Sequence, residues 1–343
     1  MNIFVTGCAG FIGAFLCKRL AETTKNTIIG IDNINDYYDV SLKEERLKML
    51  SKYDNFTFIK GDISDKLFID KLFKKYNFDI VVNLAAQAGV RYSIDHPDIY
   101  IKSNIIGFYN ILEACRHNPV KHLVYASSSS VYGSNEKVPY STDDKVDNPV
   151  SLYAATKKSN ELMAHAYSKL YNIPTTGLRF FTVYGPMGRP DMAYFSFTDK
   201  LIKGQTIEIF NYGNCKRDFT YVDDIVEGVV RVMNKAPKKE DGADGLPIPP
   251  YKLYNIGNNQ PENLLDFVQI LQEELVGAGV LPKDFDFEKH KKLVPMQKGD
   301  VPITYADTSE LEKDFGFKPK TTLKEGLRKF AKWYYKFYIK EKK

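Results

Sequence analysis

Short apolar runs alternate with longer amphipathic segments through the first half of the chain. The runs are rich in Ile, Val and Phe, and most are followed by Gly, Asp, Asn or Ser, which is typical of buried strands. The predicted strands are at 3–6, 27–31, 56–59, 79–82, 123–126 and 175–181. The predicted helices are at 11–20, 37–53, 64–76, about 98–117 and about 153–170. This alternation predicts an α/β fold of the Rossmann type, with a doubly wound parallel sheet.

The alternation ends after Phe181, and shorter, irregular segments follow. A loop rich in Pro, Gly and charge is predicted at 236–250, and a last amphipathic helix from about Thr322 to Ile339. We therefore expect a smaller, mixed α/β C-terminal domain that binds the substrate. The predicted domains are a dinucleotide-binding domain at 1–181 with a return segment at about 222–256, and a substrate domain at 182–221 and 257–343.

Composition narrows the class of protein. The 343 residues, 43% of them hydrophobic, are enough for one large α/β unit or two domains that share a cleft. The net charge of +5 is spread along the chain without a basic stripe, so we expect no nucleic-acid partner. We expect no membrane association either, because no apolar run approaches 18 residues and the N-terminus enters a strand at once. Four cysteines without metal-ligand spacing predict no metal site and a reducing compartment, with the cytoplasm as the default.

A glycine-rich turn between the first strand and the first helix predicts a dinucleotide site. Gly7, Gly10 and Gly13 let the backbone approach a diphosphate, and the helix N-terminus offers unpaired N–H groups to it. Asp32 ends the second strand, nineteen residues after Gly13, where a carboxylate can accept hydrogen bonds from the adenosine ribose. The same carboxylate would repel a 2′-phosphate, which favours NAD over NADP.

Other strand ends add to this predicted site. Asp62 follows the third strand, where it could meet the adenine amine or cap the next helix, and both interpretations stay open. Small residues after the fourth strand leave room for the nicotinamide side of the cofactor, and Arg91 beyond them could reach a phosphate. The predicted cofactor-binding residues are Gly7, Gly10, Phe11, Ile12, Gly13, Asp32, Asn33, Asp62, Ile63, Ala85, Ala86, Gln87, Tyr153 and Lys157.

Four consecutive serines end the fifth strand, and Tyr153 and Lys157 follow on one face of the next predicted helix. A phenol titrates near pH 10, so it acts as a base at neutral pH only if a neighbouring positive charge stabilises the phenolate. Lys157 can supply that charge to Tyr153, and a serine hydroxyl such as that of Ser128 can hold the reacting oxygen. The alternative is an ordinary amphipathic helix pair beside a polar strand end.

The helices at about 98–117 and from about 153 have broad apolar faces. The apolar positions are Ile101, Ile105, Phe108, Ile111 and Leu112 on the first helix, and Leu162, Met163, Ala166 and Leu170 on the second. One sheet cannot cover both faces, so we predict a homodimer in which the two helices of each subunit form a four-helix bundle.

Taken together, these residues resemble a known family. The glycine turn, Asp32, the serine-rich strand end before Val131-Tyr132-Gly133, and Tyr153-x-x-x-Lys157 resemble the extended short-chain dehydrogenase/reductases that act on nucleotide sugars. Within that group the chain is similar to the UDP-glucuronate 4-epimerases from Met1 through at least Asp307. The distinctive strings are DNINDYYD at 32–39, AAQAGVRY at 85–92, TVYGP at 182–186, GRPDM at 188–192 and RDFTY at 217–221.

The resemblance implies an NAD-dependent isomerase that interconverts UDP-glucuronate and UDP-galacturonate. It implies that Tyr153 is the base on the sugar O4, that Lys157 tunes its pKa and binds the nicotinamide ribose, and that Ser128 is the partner hydroxyl. The substrate-binding residues would be Arg91, Ser128, Ser129, Thr182, Arg189 and Arg217, with Thr182 and Arg189 at the sugar carboxylate and Arg217 at the diphosphate. Met187 departs from the family, which often has Trp at this position, and leaves only the packing near Arg189 uncertain.

Inversion of a sugar carbon also favours a redox mechanism with NAD. A carbon that bears a hydroxyl is inverted most easily by removing hydride to NAD, turning the ketone over and returning hydride to the other face. In a 4-keto uronate the carboxylate is β to the ketone and is prone to leave as carbon dioxide. We expect Arg189 to hold that carboxylate out of the geometry for cleavage.

Three other functions stay open. A dehydratase or UDP-glucuronate decarboxylase of the same fold would, by resemblance, carry acidic residues where this chain has Ser129 and Ser130. A UDP-hexose 4-epimerase for uncharged sugars typically has Asn at the position of Thr182 and lacks the GRPD string. A non-catalytic NAD-binding regulator would have no reason to keep Tyr153, Lys157 and the serines together.

Overall fold

The computed structural model describes residues 1–242, 246–296 and 302–340. Its strands are β1 (Asn2–Thr6), β2 (Thr27–Asp32), β3 (Phe56–Lys60), β4 (Ile80–Asn83), β5 (His122–Ser128), β6 (Thr175–Phe180), β7 (Thr182–Tyr184), β8 (Ile207–Ile209), β9 (Lys216–Tyr221), β10 (Glu240–Asp241), β11 (Pro247–Ile248), β12 (Tyr251–Ile256), β13 (Pro261–Asn263), β14 (Lys291–Leu293) and β15 (Ile303–Thr304). Its α-helices are α1 (Phe11–Thr23), α2 (Ser41–Leu50), α3 (Lys66–Tyr76), α4 (Tyr92–Asp95), α5 (Pro97–Tyr100), α6 (Phe108–His117), α7 (Leu152–Tyr171), α8 (Ala193–Ile202), α9 (Val222–Met233), α10 (Leu264–Gly277), α11 (Ser309–Phe315) and α12 (Leu323–Tyr334). Two π-helical segments lie at Ile101–Gly107 and Tyr335–Lys340, and 3-10 turns at Ser129–Tyr132, Phe210–Gly213 and Phe287–His290.

The main sheet has seven strands in the order β12-β6-β5-β4-β1-β2-β3, and every neighbouring pair is parallel. The central strands β1 and β4 are buried along almost their whole length because helices cover both faces of the sheet. In β1, Ile3 and Val5 join the core on the side of α1 and α9. Phe4 between them points to the other core, where it packs against Phe73 of α3 and Phe78. The predicted doubly wound parallel sheet is confirmed.

The strand order places the site. The chain builds β2 and β3 on one side of β1 and then crosses to β4, β5 and β6 on the other side. Ligands of such sheets bind beyond the carboxyl ends of the strands, at the point where the order reverses. Here that point lies between β1, which leads into the glycine turn, and β4, which leads into Leu84 and the alanines.

A second, smaller sheet follows the main one. β9 pairs with β13 antiparallel and with β7 and β15 in parallel, while β8 and β14 form a separate parallel pair. α10 and α12 pack beside this sheet, where Phe267 of α10 stacks on Phe219 of β9 at 4.4 Å between ring centroids. The mixed architecture predicted for the C-terminal half is confirmed, and β12 between its segments returns to the edge of the main sheet.

Three predicted segments differ from the structure. The helix predicted at 98–117 contains the π-helical segment Ile101–Gly107. The segment predicted as a helix at 37–53 is helical only over α2, because the Asp39 carboxylate accepts the Ser41 N–H at 3.0 Å and residues 37–38 turn toward the cleft instead. The segment predicted as a loop at 236–250 contains the hairpin β10–β11, with 243–245 outside the described residues.

Over the described ranges, none of the helices combines the length and the apolar character that crossing a membrane requires.

Candidate active site

The glycine turn after β1 is shaped for close approach of a ligand. Gly7 has φ +73°, and its N–H donates to the carbonyl oxygen of Ile31 over 2.8 Å. A Cβ on Gly13 would lie 2.1 Å from the carbonyl oxygen of Gly7, so no larger residue fits there. The turn feeds directly into the N-terminus of α1, whose first turn has no acidic residue. This backbone fits the diphosphate of the predicted dinucleotide.

Asp32 at the end of β2 lies beside this turn. Its carboxylate accepts the N–H of Ala9 at 3.2 Å and the N–H of Ile34 at 2.9 Å. Each oxygen keeps a lone pair for the cleft, which suits a ribose diol. The glycine cradle and this carboxylate together fit NAD, as the sequence predicts.

Asp62 belongs to the cleft and does not cap α3. The cap is Asp65, whose side chain accepts the N–H of Phe68 at 3.0 Å. Asp62 instead accepts hydrogen bonds from Ser64 and from the Asn33 amide, the latter at 3.2 Å. Burial alone would raise the pKa of Asp62, but these hydrogen bonds hold it below its ordinary value. An ionised carboxylate therefore faces the cleft.

One cleft of about 470 Å³ gathers most of the predicted site residues. The predicted residues that line it are Gly7, Gly10, Phe11, Ile12, Gly13, Asp32, Asn33, Asp62, Ile63, Ala85, Ala86, Gln87, Ser128, Ser129, Tyr153, Lys157, Thr182 and Arg189. Arg91 and Arg217 are not among its lining residues. Arg217 donates from Nη1 to the carbonyl oxygens of Lys216 and Pro302, at 3.0 and 3.1 Å. The substrate contacts of these two arginines stay predictions.

Tyr153 and Lys157 lie one turn apart near the start of α7. The helix begins at this point because the Ser151 hydroxyl caps it by accepting the N–H of Ala154 at 3.1 Å. Lys157 Nζ donates to the carbonyl oxygen of Ala126 in β5 over 2.8 Å, and burial lowers the pKa of Lys157 to about 8. Lys157 is therefore fixed against the strand that carries the serines.

The environment of Tyr153 combines opposing effects on its acidity. Burial raises the pKa of Tyr153, whereas the hydrogen bond with Ser128 and the positive charge of Arg189 lower it. Ser128 ends β5, where its hydroxyl donates to Ser130 Oγ over 3.1 Å and accepts the Ser130 N–H at 3.1 Å. A phenol, a serine hydroxyl and an arginine thus converge on one volume, which suits proton transfer at a sugar hydroxyl.

Sequence reasoning missed Asn104, which lies in the π-helical segment. Its side chain accepts the Gln87 N–H at 2.8 Å and donates to the Gln87 carbonyl oxygen over 3.0 Å. It also donates to the hydroxyl of Thr156 over 3.1 Å, so it joins the end of β4 to α7. The one available signal was a polar residue in the middle of an apolar helical run, and π-helical turns frequently occur at functional sites.

Sequence reasoning also missed Arg46, which is fully buried on α2. Its Nη1 donates to the carbonyl oxygen of Ala9 in the glycine turn over 2.8 Å. Its Nε and Nη2 donate to the carbonyl oxygen of Met187, two residues before Arg189, over 3.1 and 2.5 Å. One guanidinium therefore holds the cofactor turn and the loop of Arg189 in a fixed relation. A signal existed, because Leu42, Arg46 and Leu50 are four residues apart on one helical face.

Comparisons with known proteins agree with this geometry. Residues 3–257 match the family described as "NAD dependent epimerase/dehydratase family". The chain is 54% identical to Protein CapI of Staphylococcus aureus, over 99% of this chain and 100% of that protein. It is 47% identical to UDP-glucuronate 4-epimerase 4 of Arabidopsis thaliana, over 100% of this chain and 77% of that protein.

A solved structure extends the comparison to three dimensions. The structure is the UDP-glucuronic acid 4-epimerase of Bacillus cereus in complex with UDP-glucuronic acid and NAD. It superimposes with a TM-score of 0.84 and 32% identity, over 98% of this chain and 100% of that chain. Fold, glycine cradle and sequence match together show that this chain belongs to the NAD dependent epimerase/dehydratase family.

Proposed function

We propose that this protein is an isomerase that interconverts UDP-glucuronate and UDP-galacturonate by inverting C4 through a 4-keto intermediate. The observation that carries the proposal is the position of Arg189, which lines the same cleft as Tyr153 and Ser128. A cation beside the proton-transfer groups suits a sugar whose C6 is a carboxylate. The Arabidopsis and Bacillus cereus proteins named above, both UDP-glucuronate 4-epimerases, support this choice of substrate.

Each residue of the proposed site has its own role in this reaction. NAD, when bound on the glycine turn, supplies the acceptor and donor for the hydride of C4. Tyr153 takes the O4 proton as the hydride leaves and gives it back as the hydride returns. Ser128 holds O4 by a hydrogen bond, and Lys157, fixed on Ala126, favours the phenolate of Tyr153 by its charge.

The carboxylate of the substrate needs its own binding groups, because the 4-keto intermediate is a β-keto acid. We assign this role to Arg189 and to the Thr182 hydroxyl, which comes from the start of β7 beside the cleft. Ser129 would bind the sugar next to Ser128. Holding the C5–C6 bond near the plane of the C4 ketone keeps it from aligning with the carbonyl π-system, so carbon dioxide is retained.

We propose the remaining contacts and the domain division on topology. Arg217 lies on β9, two positions before Phe219, which pairs with Thr182 of β7. Its side chain would reach the diphosphate of the substrate. Arg91 would contact a phosphate from the loop after β4. The dinucleotide-binding domain would then comprise 1–181 and about 222–256, and the sugar-nucleotide domain 182–221 and 257–343, of which 243–245, 297–301 and 341–343 lie outside the described residues.

We propose that the protein is a homodimer through a four-helix bundle of α6 and α7 from each subunit. Of the predicted apolar faces, Phe108, Ile111 and Leu112 are buried against the sheet. Exposed apolar residues stay on the outer side of α6, of α7 and of the π-helical segment before α6, and we call them the apolar stripe: Ile106, Tyr109, Leu162, Ala166 and Leu170. Leu162 and Leu170 are 60% and 70% exposed, which favours a partner surface over solvent.

We propose the cytoplasm as the compartment. The support is that all four cysteines, at 8, 17, 115 and 215, are buried as free thiols rather than paired.

The test is to mix purified protein with UDP-glucuronate, without added nicotinamide cofactor, and to follow the products by NMR. The proposal expects UDP-galacturonate to grow to a steady ratio, because the hydride returns to the sugar and the cofactor stays bound. A UDP-pentose product would identify a decarboxylase instead. If the protein epimerises UDP-glucose but not UDP-glucuronate, with or without added NAD, it is an epimerase for neutral hexoses.

A further inference from the structure

Arg189 is paired with a carboxylate of its own loop. Its Nε donates to Asp191 Oδ1 over 3.0 Å and its Nη2 donates to Oδ2 over 2.5 Å. Both side chains line the cleft and are only 25% and 34% exposed. A bidentate pair of this kind fixes the plane of the guanidinium, not only its position.

The pairing leaves one edge of the guanidinium for another ligand. A guanidinium has five N–H donors, and Asp191 uses the edge formed by Nε and Nη2. The other edge, formed by Nη1 and the second Nη2 hydrogen, takes no part in these two hydrogen bonds, and the Tyr37 hydroxyl is the further hydrogen-bonding neighbour of the guanidinium. That edge can receive a second carboxylate in the same bidentate manner.

Tyr37 completes the cluster from the opposite wall of the cleft. Its hydroxyl donates to Asp191 Oδ2 over 3.2 Å, and its ring packs on Tyr92 at 4.6 Å between centroids. The hydroxyl has room because Gly89, with φ +103°, has no side chain: a Cβ there would lie 2.6 Å from it. Tyr37 follows β2 closely, so the chain that carries Asp32 also reaches the Arg189 loop.

The charges of the cluster suit a third, anionic member. Burial alone would raise the pKa of Asp191, but the Arg189 charge and the hydrogen bonds from Arg189 and Tyr37 hold it below its ordinary value. Asp191 is therefore ionised at neutral pH. The Tyr37 hydroxyl binds part of that negative charge, which reduces the repulsion between Asp191 and a second carboxylate on the same cation.

Building on the proposed function, we propose that Asp191 and Tyr37 are positioning residues that hold the open edge of Arg189 toward the sugar carboxylate. They thereby make the site select UDP-hexuronates over neutral UDP-hexoses. Neither residue is assigned a contact with the reacting atoms, and both act on the substrate carboxylate through Arg189.

Equilibrium binding tests this role. UDP-glucuronate and UDP-glucose are titrated calorimetrically into the NAD-loaded Tyr153→Phe protein, in which the phenol that transfers the proton is absent, with and without a second substitution. Asp191→Asn is expected to weaken UDP-glucuronate about tenfold, the equivalent of one charge-assisted hydrogen bond, and UDP-glucose by less than about twofold. Tyr37→Phe is expected to act in the same direction by a smaller factor. In the active protein the KM for UDP-glucuronate is expected to rise more than kcat falls.

Matched surface changes serve as controls. Asp284→Asn and Tyr335→Phe make the same replacements at exposed positions and should leave the ratio of the two dissociation constants unchanged. Equal weakening of both ligands by Asp191→Asn would mean a merely structural role, and tighter UDP-glucuronate binding would mean that Asp191 competes with the substrate. The proposal would also be overturned if Asp191→Asn left the ratio of the dissociation constants for UDP-glucuronate and UDP-glucose unchanged. The proposed function fails separately, if the protein without substitutions does not epimerise UDP-glucuronate.

Discussion

The buried carboxylate of Glu161 receives two hydrogen bonds from the guanidinium of Arg179, at 2.8 and 2.9 Å. Glu161 lies one turn beyond Lys157 on α7, and Arg179 lies on β6. The Ser127 hydroxyl donates to Glu161 over 2.6 Å, and Arg179 donates to the Tyr132 hydroxyl over 3.1 Å. This network fixes α7 against β5 and β6.

Replacing one partner of this ion pair should cost more stability than its share of replacing both partners together. Glu161→Leu or Arg179→Met leaves a charge in the core without its partner, so each is expected to lower the free energy of unfolding by about 3 kcal/mol. The double variant Glu161→Leu with Arg179→Met should cost less than the two single changes added together. Urea unfolding of the three variants measures this coupling. Glu227→Gln, which breaks the surface pairs with Arg19 and Arg231, is the control and should change little. Strict additivity would show that the two buried charges do not depend on each other.

The pH dependence of activity should report the surroundings of Tyr153. The groups that face this phenol are Ser128, Arg189, Asp191 and Tyr100, with Lys157 on its own helix. In the proposed mechanism the phenolate of Tyr153 is the base, so the ascending limb of kcat/KM against pH should follow the pKa of Tyr153. Ser128→Ala removes a hydrogen bond that lowers this pKa, so the limb should move to higher pH, with about a 10²-fold loss of kcat.

Asp191→Asn should move the same limb in the opposite direction. The negative charge of Asp191 raises the pKa of Tyr153, so its removal lowers that pKa and extends activity toward lower pH. The pH profiles of Ser128→Ala and Asp191→Asn are measured from initial rates with UDP-glucuronate, over the pH range in which the protein stays folded. A shift of the same sign in both would contradict the assignment of Tyr153 as the base.

Gly13 should tolerate no side chain. In Gly13→Ala the new methyl group would lie 2.1 Å from the Gly7 carbonyl oxygen, so the cofactor turn must move. We expect a loss of about 2 kcal/mol of stability and of most of the NAD that co-purifies with the protein. Thermal unfolding and the cofactor released by acid measure the two effects. Gly277→Ala is the matched control, because nothing lies within 4 Å of its new methyl group, and it should retain NAD and stability. Retention of NAD by Gly13→Ala would mean that this turn does not hold the diphosphate.

Sequence reasoning predicted the features that depend on residues close together in the chain. It missed the contacts between loops that are far apart in the chain. Strand and helix alternation, the glycine turn and the pair Tyr153 and Lys157 depend on residues a few positions apart, and the sheet then brings their strand ends to one edge. Arg46, in contrast, binds a carbonyl oxygen 141 positions away, and Tyr37 binds a carboxylate 154 positions away. No hydrophobic pattern specifies which loop meets which, so these contacts became visible only in the fold.

The apolar stripe leads to the last prediction, on the oligomeric state. Leu162 and Leu170 lie eight positions apart on α7, so they face the same side two turns apart. Burying one leucine side chain contributes about 2 kcal/mol, and a symmetric interface buries each of them twice. In Leu162→Glu with Leu170→Glu four carboxylates would have to be buried instead, so the dimer should dissociate at micromolar concentration while each subunit stays folded. Analytical ultracentrifugation measures this change, with Leu293→Glu on β14 as the control. If the protein without substitutions already sediments as a species of 39.2 kDa at that concentration, the bundle does not form, and the stripe must be covered in another way.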